Sequence, residues 1–147
     1  MDIDLNTTEI KSSNVDTKTI GELTEQIVIT KLMLKGFTVL KPIGDNQRYD
    51  IVLDLKGSFY KIQIKTRKIT NGKIYCSLKR IITNNHKSER KEYSIDEIDC
   101  FIVYCYETDK MYAIPMEENY NPNLILRVDE PFNNQKKNIN YAKDYEI

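Results

Sequence analysis

The sequence predicts a single α/β (α+β) domain in which one amphipathic helix precedes a sheet. Three stretches carry that prediction. Between residues 19 and 36, apolar side chains recur at helical spacing. Between residues 49 and 67, two alternating runs flank a Lys-Gly-Ser turn, the pattern of a β-hairpin. Residues 100–106 are the most continuous apolar run, as expected of a central strand covered on both faces. That run is far too short to cross a bilayer. A chain of 147 residues is long enough for a real core, and 40% hydrophobic with 30% charged residues describes a soluble globular protein.

Taken in order, residues 1–16 are polar and aperiodic and read as a flexible N-terminal arm. The core, residues 17–116, opens with the helix. Thr19-Ile20-Gly21-Glu22 fits a capping box, and Ile20, Leu23, Ile27, Val28, Leu32 and Leu34 form the apolar stripe. Gly36 is placed to cap the C-terminus. Residues 37–40 are a short strand ended by Pro42, and residues 44–48 are a polar turn that delivers the chain to Asp50. In the second run of the hairpin Tyr60, Ile62 and Ile64 share one face, and Lys61, Gln63, Lys65 and Arg67 the other. Asp54 is read as a solvent-side residue. The turn dipeptide Asn71-Gly72 leads into a strand over residues 73–78. Residues 79–92 read as a basic, mobile loop. Ser94 caps at most a short second helix, and residues 111–115 are a last strand closed by Pro115. Residues 117–147 form a polar, Asn-rich extension that is expected to be irregular.

The net charge of zero conceals an asymmetry. Residues 1–55 carry 6 basic and 9 acidic side chains, residues 56–91 carry 11 and 1, and residues 92–147 carry 5 and 12. A basic block confined to the centre is the footprint of a polyanion-binding face, and Arg67, Lys68, Lys73, Lys79 and Arg80 are its candidate phosphate contacts. Cys76, Cys100 and Cys105 are odd in number, lack metal-ligand spacing and read as buried, reduced thiols. With no signal peptide visible at the N-terminus, a cytoplasmic location is expected. The single histidine, His86, leaves nucleophilic Ser/His or Cys/His catalysis without its parts.

The chemistry gathers on the hairpin. Gln63 and Lys65 lie roughly 6–7 Å apart along one polar face, and Asp50 opens the neighbouring strand. An acid, a second oxygen ligand and a lysine on a rigid hairpin are what metal-assisted phosphodiester hydrolysis requires. The helix adds two acids one turn apart. The capping box would use Glu22, whereas Glu25 has no such task.

These residues resemble the PD-(D/E)XK nuclease superfamily, with Asp50 as its Asp and Gln63-Ile64-Lys65 as its (D/E/Q)-X-K. Gly21 four residues before Glu25, with Gly36-Phe37 about three helical turns after it, resembles archaeal Holliday-junction resolvases and intron-encoded endonucleases. The approach Pro42-Ile43-Gly44-Asp45-Asn46-Gln47-Arg48-Tyr49-Asp50 is similar to that of homing-endonuclease-like members, which makes Asp45 and Arg48 candidates for a loop beside the site. The resemblance implies a restriction-endonuclease-like αβββαβ core with a mixed central sheet. It also implies a Mg²⁺-dependent endodeoxyribonuclease, with Mn²⁺ able to substitute. Glu25, Asp50, Gln63 and Lys65 would be its catalytic residues. Asp50, Gln63 and Glu25 would hold the metal, with Glu22 as the alternative helical acid. Double-stranded or branched DNA is the implied partner, and cutting both strands requires a homodimer or higher homo-oligomer. Among roles, a homing-endonuclease-like, site-specific enzyme comes first, then a Holliday-junction resolvase or a restriction-type nuclease. Gln63 standing where the family usually has Glu or Asp supports the alternative of a catalytically inactive DNA-binding module of the same fold.

Overall fold

The computed structural model describes residues 15–130 and 137–147, so the N-terminal arm lies outside the described residues up to residue 14. Helix α1 (Thr17–Leu34) starts one turn earlier than the capping box predicts. Asp16 is the N-cap: its Oδ1 accepts from the N–H groups of Lys18 and Thr19, both at 3.0 Å. Thr19 is already inside the helix and donates its hydroxyl back to Asp16 Oδ2 at 2.7 Å, so Glu22 has no capping task. The C-terminus ends as expected. Gly36 adopts φ +87°, its N–H bonds Met33 O, and Phe37 N–H bonds Leu32 O, a Schellman closure.

The chain then builds a five-stranded mixed sheet in the order β1 (Thr38–Leu40), β2 (Ile51–Leu55), β3 (Ser58–Thr66), β8 (Cys100–Cys105), β9 (Lys110–Pro115). Between them in sequence lie β4 (Ile69–Thr70), β5 (Lys73–Ser77), β6 (Arg80–Asn84) and β7 (Lys87–Lys91). The β3–β8 pairing is parallel and the others are antiparallel. The hairpin turn is Lys56-Gly57, at φ 54° and 90°, and Asp54 Oδ1 accepts the Gly57 N–H at 2.8 Å.

As the apolar run predicts, β8 is covered on both faces. Ile102 and Tyr104 join Val28 and Leu32 of α1 with Ile51, Leu53, Ile62 and Ile64. Phe101, Val103 and Cys105 point the other way, into a second core with Ile74, Cys76, Leu124 and Leu126. That second core is closed by a four-stranded sheet in the order β11 (Asn140–Tyr141), β10 (Asn123–Arg127), β5, β4. Asn71-Gly72 makes the β4–β5 turn. Gly72 takes φ +67°, and a Cβ there would lie 2.4 Å from the Asp129 carboxylate, which would have to move aside. Cys76 and Cys105 are buried and Cys100 nearly so, all free, and burial pushes each thiol up to about 12. Among the described residues no helix is long and apolar enough to cross a membrane.

Three expectations are corrected. The basic loop is an antiparallel ribbon, β6–β7, whose turn residues Asn85 and His86 take φ 44° and 67° as a two-residue hairpin requires. The second helix is a single turn: Glu97 N–H bonds Ser94 O at 3.0 Å, and Glu97 Oε2 accepts the Ser94 N–H. It goes no further because Asp99 is already held to β3, N–H to Lys61 O and carboxylate to Lys61 N–H. The extension after Tyr120 is not irregular throughout. Leu124 and Leu126 alternate inward on β10 and pair with β5.

Candidate active site

The β2–β3 hairpin sets the site. Pairing Ile51 with Ile62 brings Asp50, just before β2, beside Gln63. Asp50 Oδ2 accepts from Gln63 Nε2 at 2.6 Å and from Ile64 N–H at 2.7 Å. Burial, and then the charge of Glu25, hold the Asp50 carboxyl above its ordinary value, against the lowering effect of the Ile64 N–H.

Lys65 lies two residues beyond Gln63 and is paired with Val103 of β8. Its Nζ donates to Tyr93 OH at 3.2 Å and to Lys79 O at 3.4 Å, and stands 5.4 Å from the centre of the Tyr93 ring. Burial, and then the neighbouring Arg67, lower the Lys65 ammonium below its ordinary value, while Asp50 acts in the opposite direction. The Tyr93 hydroxyl is pushed up to about 12, chiefly by burial, so it stays a neutral phenol beside the amine.

Helix α1 contributes Glu25. Thr24 Oγ1, fully buried, bonds Ile20 O at 2.7 Å, Thr66 Oγ1 at 2.7 Å and Tyr106 OH at 3.0 Å. This locks the helix to the ends of β3 and β8 and fixes where the next side chain points. Glu25 Oε1 is buried and carries no hydrogen bond; Lys41 Nζ approaches it at 2.5 Å as an ion pair without hydrogen-bond alignment. The Glu25 carboxylate against it raises the Lys41 ammonium above its ordinary value.

Gly21, Thr24, Glu25, Asp50, Gln63 and Lys65 line one cleft of about 640 Å³. All four residues predicted as catalytic are therefore brought together. Glu22 is exposed and is not among the cleft's lining residues. Of the predicted phosphate contacts, Arg67 and Lys68 line the cleft and Lys73 lies half-buried on β5. Arg67 is turned inward, donating to Thr66 O and Ser77 O and tying β3 to β5. Arg80 pairs with Glu97 at 2.7 Å, and Lys79 lies 3.8 Å from Glu92. Arg48 also reaches Glu97, at 3.6 Å, while Asp45 is exposed. Lys41, Thr24 and Tyr93 were missed in the sequence. Each works through a long-range contact that local pattern does not announce, although Lys41 lies next to the Pro42–Asp50 approach already singled out.

Comparison with known proteins gives the family. A family model described as PD-(D/E)XK endonuclease matches residues 15–147. The chain belongs to the PD-(D/E)XK endonuclease family. Its fold also matches a solved bacterial homing endonuclease, I-Ssp6803I, at 26% identity and a TM-score of 0.71, over 90% of this chain and 89% of that one. No curated protein sequence matches.

Nucleases of this family use divalent metal ions, and the donor set suits a hard cation. It consists of two carboxylates and an amide, all oxygen donors, and one carboxylate oxygen, Glu25 Oε1, is buried with no hydrogen bond and faces a cation, Lys41, as an ion pair. Among the described residues no three His, Cys, Asp or Glu side chains converge, so the side chain beside Asp50 and Glu25 is an amide where a third carboxylate could have stood.

Proposed function

We propose that this chain is a Mg²⁺-dependent endodeoxyribonuclease that cuts double-stranded DNA at specific sites, in the manner of a homing endonuclease. The observation that carries the reading is the meeting of Glu25, Asp50, Gln63 and Lys65 in one cleft. Asp50, Glu25 and the Gln63 amide oxygen hold the ion. Holding it requires the Gln63 amide to turn, giving up its N–H contact to Asp50. Bound there, Mg²⁺ supplies an activated water and neutralises charge that builds on the scissile phosphate. Lys65 holds its ammonium toward that phosphate, its position set by Tyr93 OH and Lys79 O. Burial makes this charge act in a medium less screened than water. Lys68, Lys73 and Lys79 contact phosphates and set position rather than sequence. Arg67 and Arg80 are engaged within the protein, Arg67 in the cleft wall and Arg80 on Glu97.

One such site cuts one strand, so a double-strand cut takes two copies of the chain. The match to a bacterial homing endonuclease supports that role ahead of a junction resolvase or a restriction-type enzyme. The test is nicking of supercoiled plasmid. Nicking is expected with Mg²⁺ or Mn²⁺ and lost on chelation. Asp50→Ala and Lys65→Ala are expected to abolish it while duplex affinity stays within a few-fold. A wild type that binds duplex DNA yet never nicks it, with any divalent ion, is the outcome expected of the inactive DNA-binding module.

A further inference from the structure

The β6–β7 ribbon is the part of the fold that neither core needs. Its ten strand residues are exposed or half-exposed, and none joins either hydrophobic cluster. An isolated two-stranded ribbon is marginal in water, so its retention calls for a use. Its register sorts the side chains. Ile81 opposite Arg90 and Thr83 opposite Ser88 share one face. The other face carries Arg80 and Ile82, which lean on the body of the protein, Arg80 through Glu97 and the Tyr93 ring.

We propose that the outward face of this ribbon, Ile81, Thr83, Ser88 and Arg90, enters the major groove of double-stranded DNA and reads base edges there. The inference rests on the endonuclease reading and adds the element that would give it sequence preference. Charge points to a polyanion, since Arg80, Lys87, Arg90 and Lys91 stand against Glu89 alone on the two strands, with Arg90 on the outward face and the others on the opposite one. Shape points to the groove: two strands about 4.8 Å apart fit a major groove about 12 Å wide. The deep, narrow major groove of duplex RNA does not admit such a ribbon. The exposed chemistry is that of base edges rather than phosphates alone. An arginine can take guanine O6 and N7, hydroxyls accept or donate, and a branched apolar side chain can meet the thymine methyl. Ile81 is 69% exposed, so its branched side chain is open to a partner. The Thr83 and Ser88 hydroxyls lie 3.2 Å apart across the strands and stiffen the face. The ribbon is also attached to the chemistry, because Lys79, the residue before β6, gives its carbonyl to Lys65 Nζ. A groove contact on the ribbon would thus be held in register with the candidate cutting site.

The experiment selects bound molecules from a randomised duplex library with Ca²⁺ present, using wild type, Arg90→Ala and Ile81→Ala, with plasmid nicking measured in parallel. Wild type is expected to enrich a motif. Arg90→Ala is expected to lose preference for one guanine by about tenfold to a hundredfold. N7-methylation of that guanine should block wild type but not the variant. Ile81→Ala should relax a thymine elsewhere in the same motif. Binding to unselected duplex should change less than about threefold for either variant, since phosphate contacts dominate it. The same motif from all three proteins, or duplex retained with no motif, overturns the ribbon as a reader while nicking leaves the endonuclease reading standing. No duplex retained overturns the ribbon too, and nicking alone then decides that reading.

Discussion

Replacing Asp50 by asparagine removes a charge while the hydrogen bonds around it survive. One oxygen of Asp50 receives both Gln63 Nε2 and Ile64 N–H, and an asparagine oxygen in that place accepts the same two. The charge itself is costly, because burial and Glu25 hold the carboxyl above its ordinary value of 3.8. A carboxyl raised in the folded state contributes most below its unfolded value, and that contribution is lost as pH rises through the folded one. Asp50→Asn is therefore expected to melt at or above the wild-type temperature at pH 8 without divalent ions, with the advantage fading toward pH 4. Metal reverses the order. An ion at a hundred times its dissociation constant stabilises the wild type by about 2.7 kcal/mol, which in a domain of this size is about 5–10 °C. With affinity about a hundredfold lower in the variant, the same concentration gives about 0.4 kcal/mol, or about 1–2 °C. Thermal unfolding of both proteins over pH 4–8, with and without Mg²⁺ or Ca²⁺, measures each quantity. A variant that melts below wild type in the absence of metal would sink the desolvation account. Equal metal-induced shifts would remove Asp50 from the metal site.

Further outcomes test the neighbouring residues. Glu25→Gln should slow nicking by about 10²-fold at saturating Mg²⁺, while Glu22→Gln, exposed and outside the cleft, should change it less than about twofold; the reverse result would shift the helical acid by one turn. Gln63→Glu should tighten Mg²⁺ binding in calorimetry. It should also lower the metal-free melting temperature, since Asp50 then loses an N–H donor and faces a like charge; the lost donor alone is worth about 1–3 kcal/mol. Tyr93→Phe keeps the ring and removes an acceptor that favours the charged amine. It should lower kcat about tenfold with little change in KM, and any alkaline limb of the pH–rate profile set by Lys65 should move to lower pH.

The hairpin and the central strand could be read from sequence because they follow short-range rules. Alternation over residues 49–67 put Gln63 and Lys65 on one face, and continuous apolarity over residues 100–106 marked a strand with two cores. Where the reading failed, a competing local partner or a distant contact decided the outcome. Asp16 outcompeted Thr19 as the cap because its carboxylate reaches two N–H groups. Residues 79–92 looked like a loop because charged side chains masked a β-branched run, Ile81-Ile82-Thr83, and an Asn-His turn. Pairing of β10 with β5 spans about fifty residues, so its alternation of two leucines carried little weight until the partner was known. The site acids were legible as candidates, with Glu25 preferred to Glu22, but what turns Glu25 toward the cleft was not: Thr24, whose three hydrogen bonds fix the roll of the helix.

Gln63 is the residue on which activity and stability meet. Around it stand two carboxylates, Glu25 and Asp50, and two ammonium groups, Lys41 and Lys65, so these four charges balance before any ion enters. A carboxylate at position 63 would tip that balance and place a second buried anion against Asp50, with repulsion strengthened by burial. The amide instead donates to Asp50 and relieves it. The same choice weakens the pull on a divalent cation, because a neutral oxygen replaces a charged one. On the proposed ligand set, such a site would be stable without an ion and would fill only when divalent ions are plentiful or when a DNA phosphate supplies the missing negative oxygen. Metal binding should therefore tighten in the presence of duplex DNA, and duplex binding in the presence of metal by the same factor, as linkage requires. Paired calorimetric titrations with Asp50→Asn as the control measure both directions, and absence of coupling in the wild type would show that the amide is not compensated by substrate.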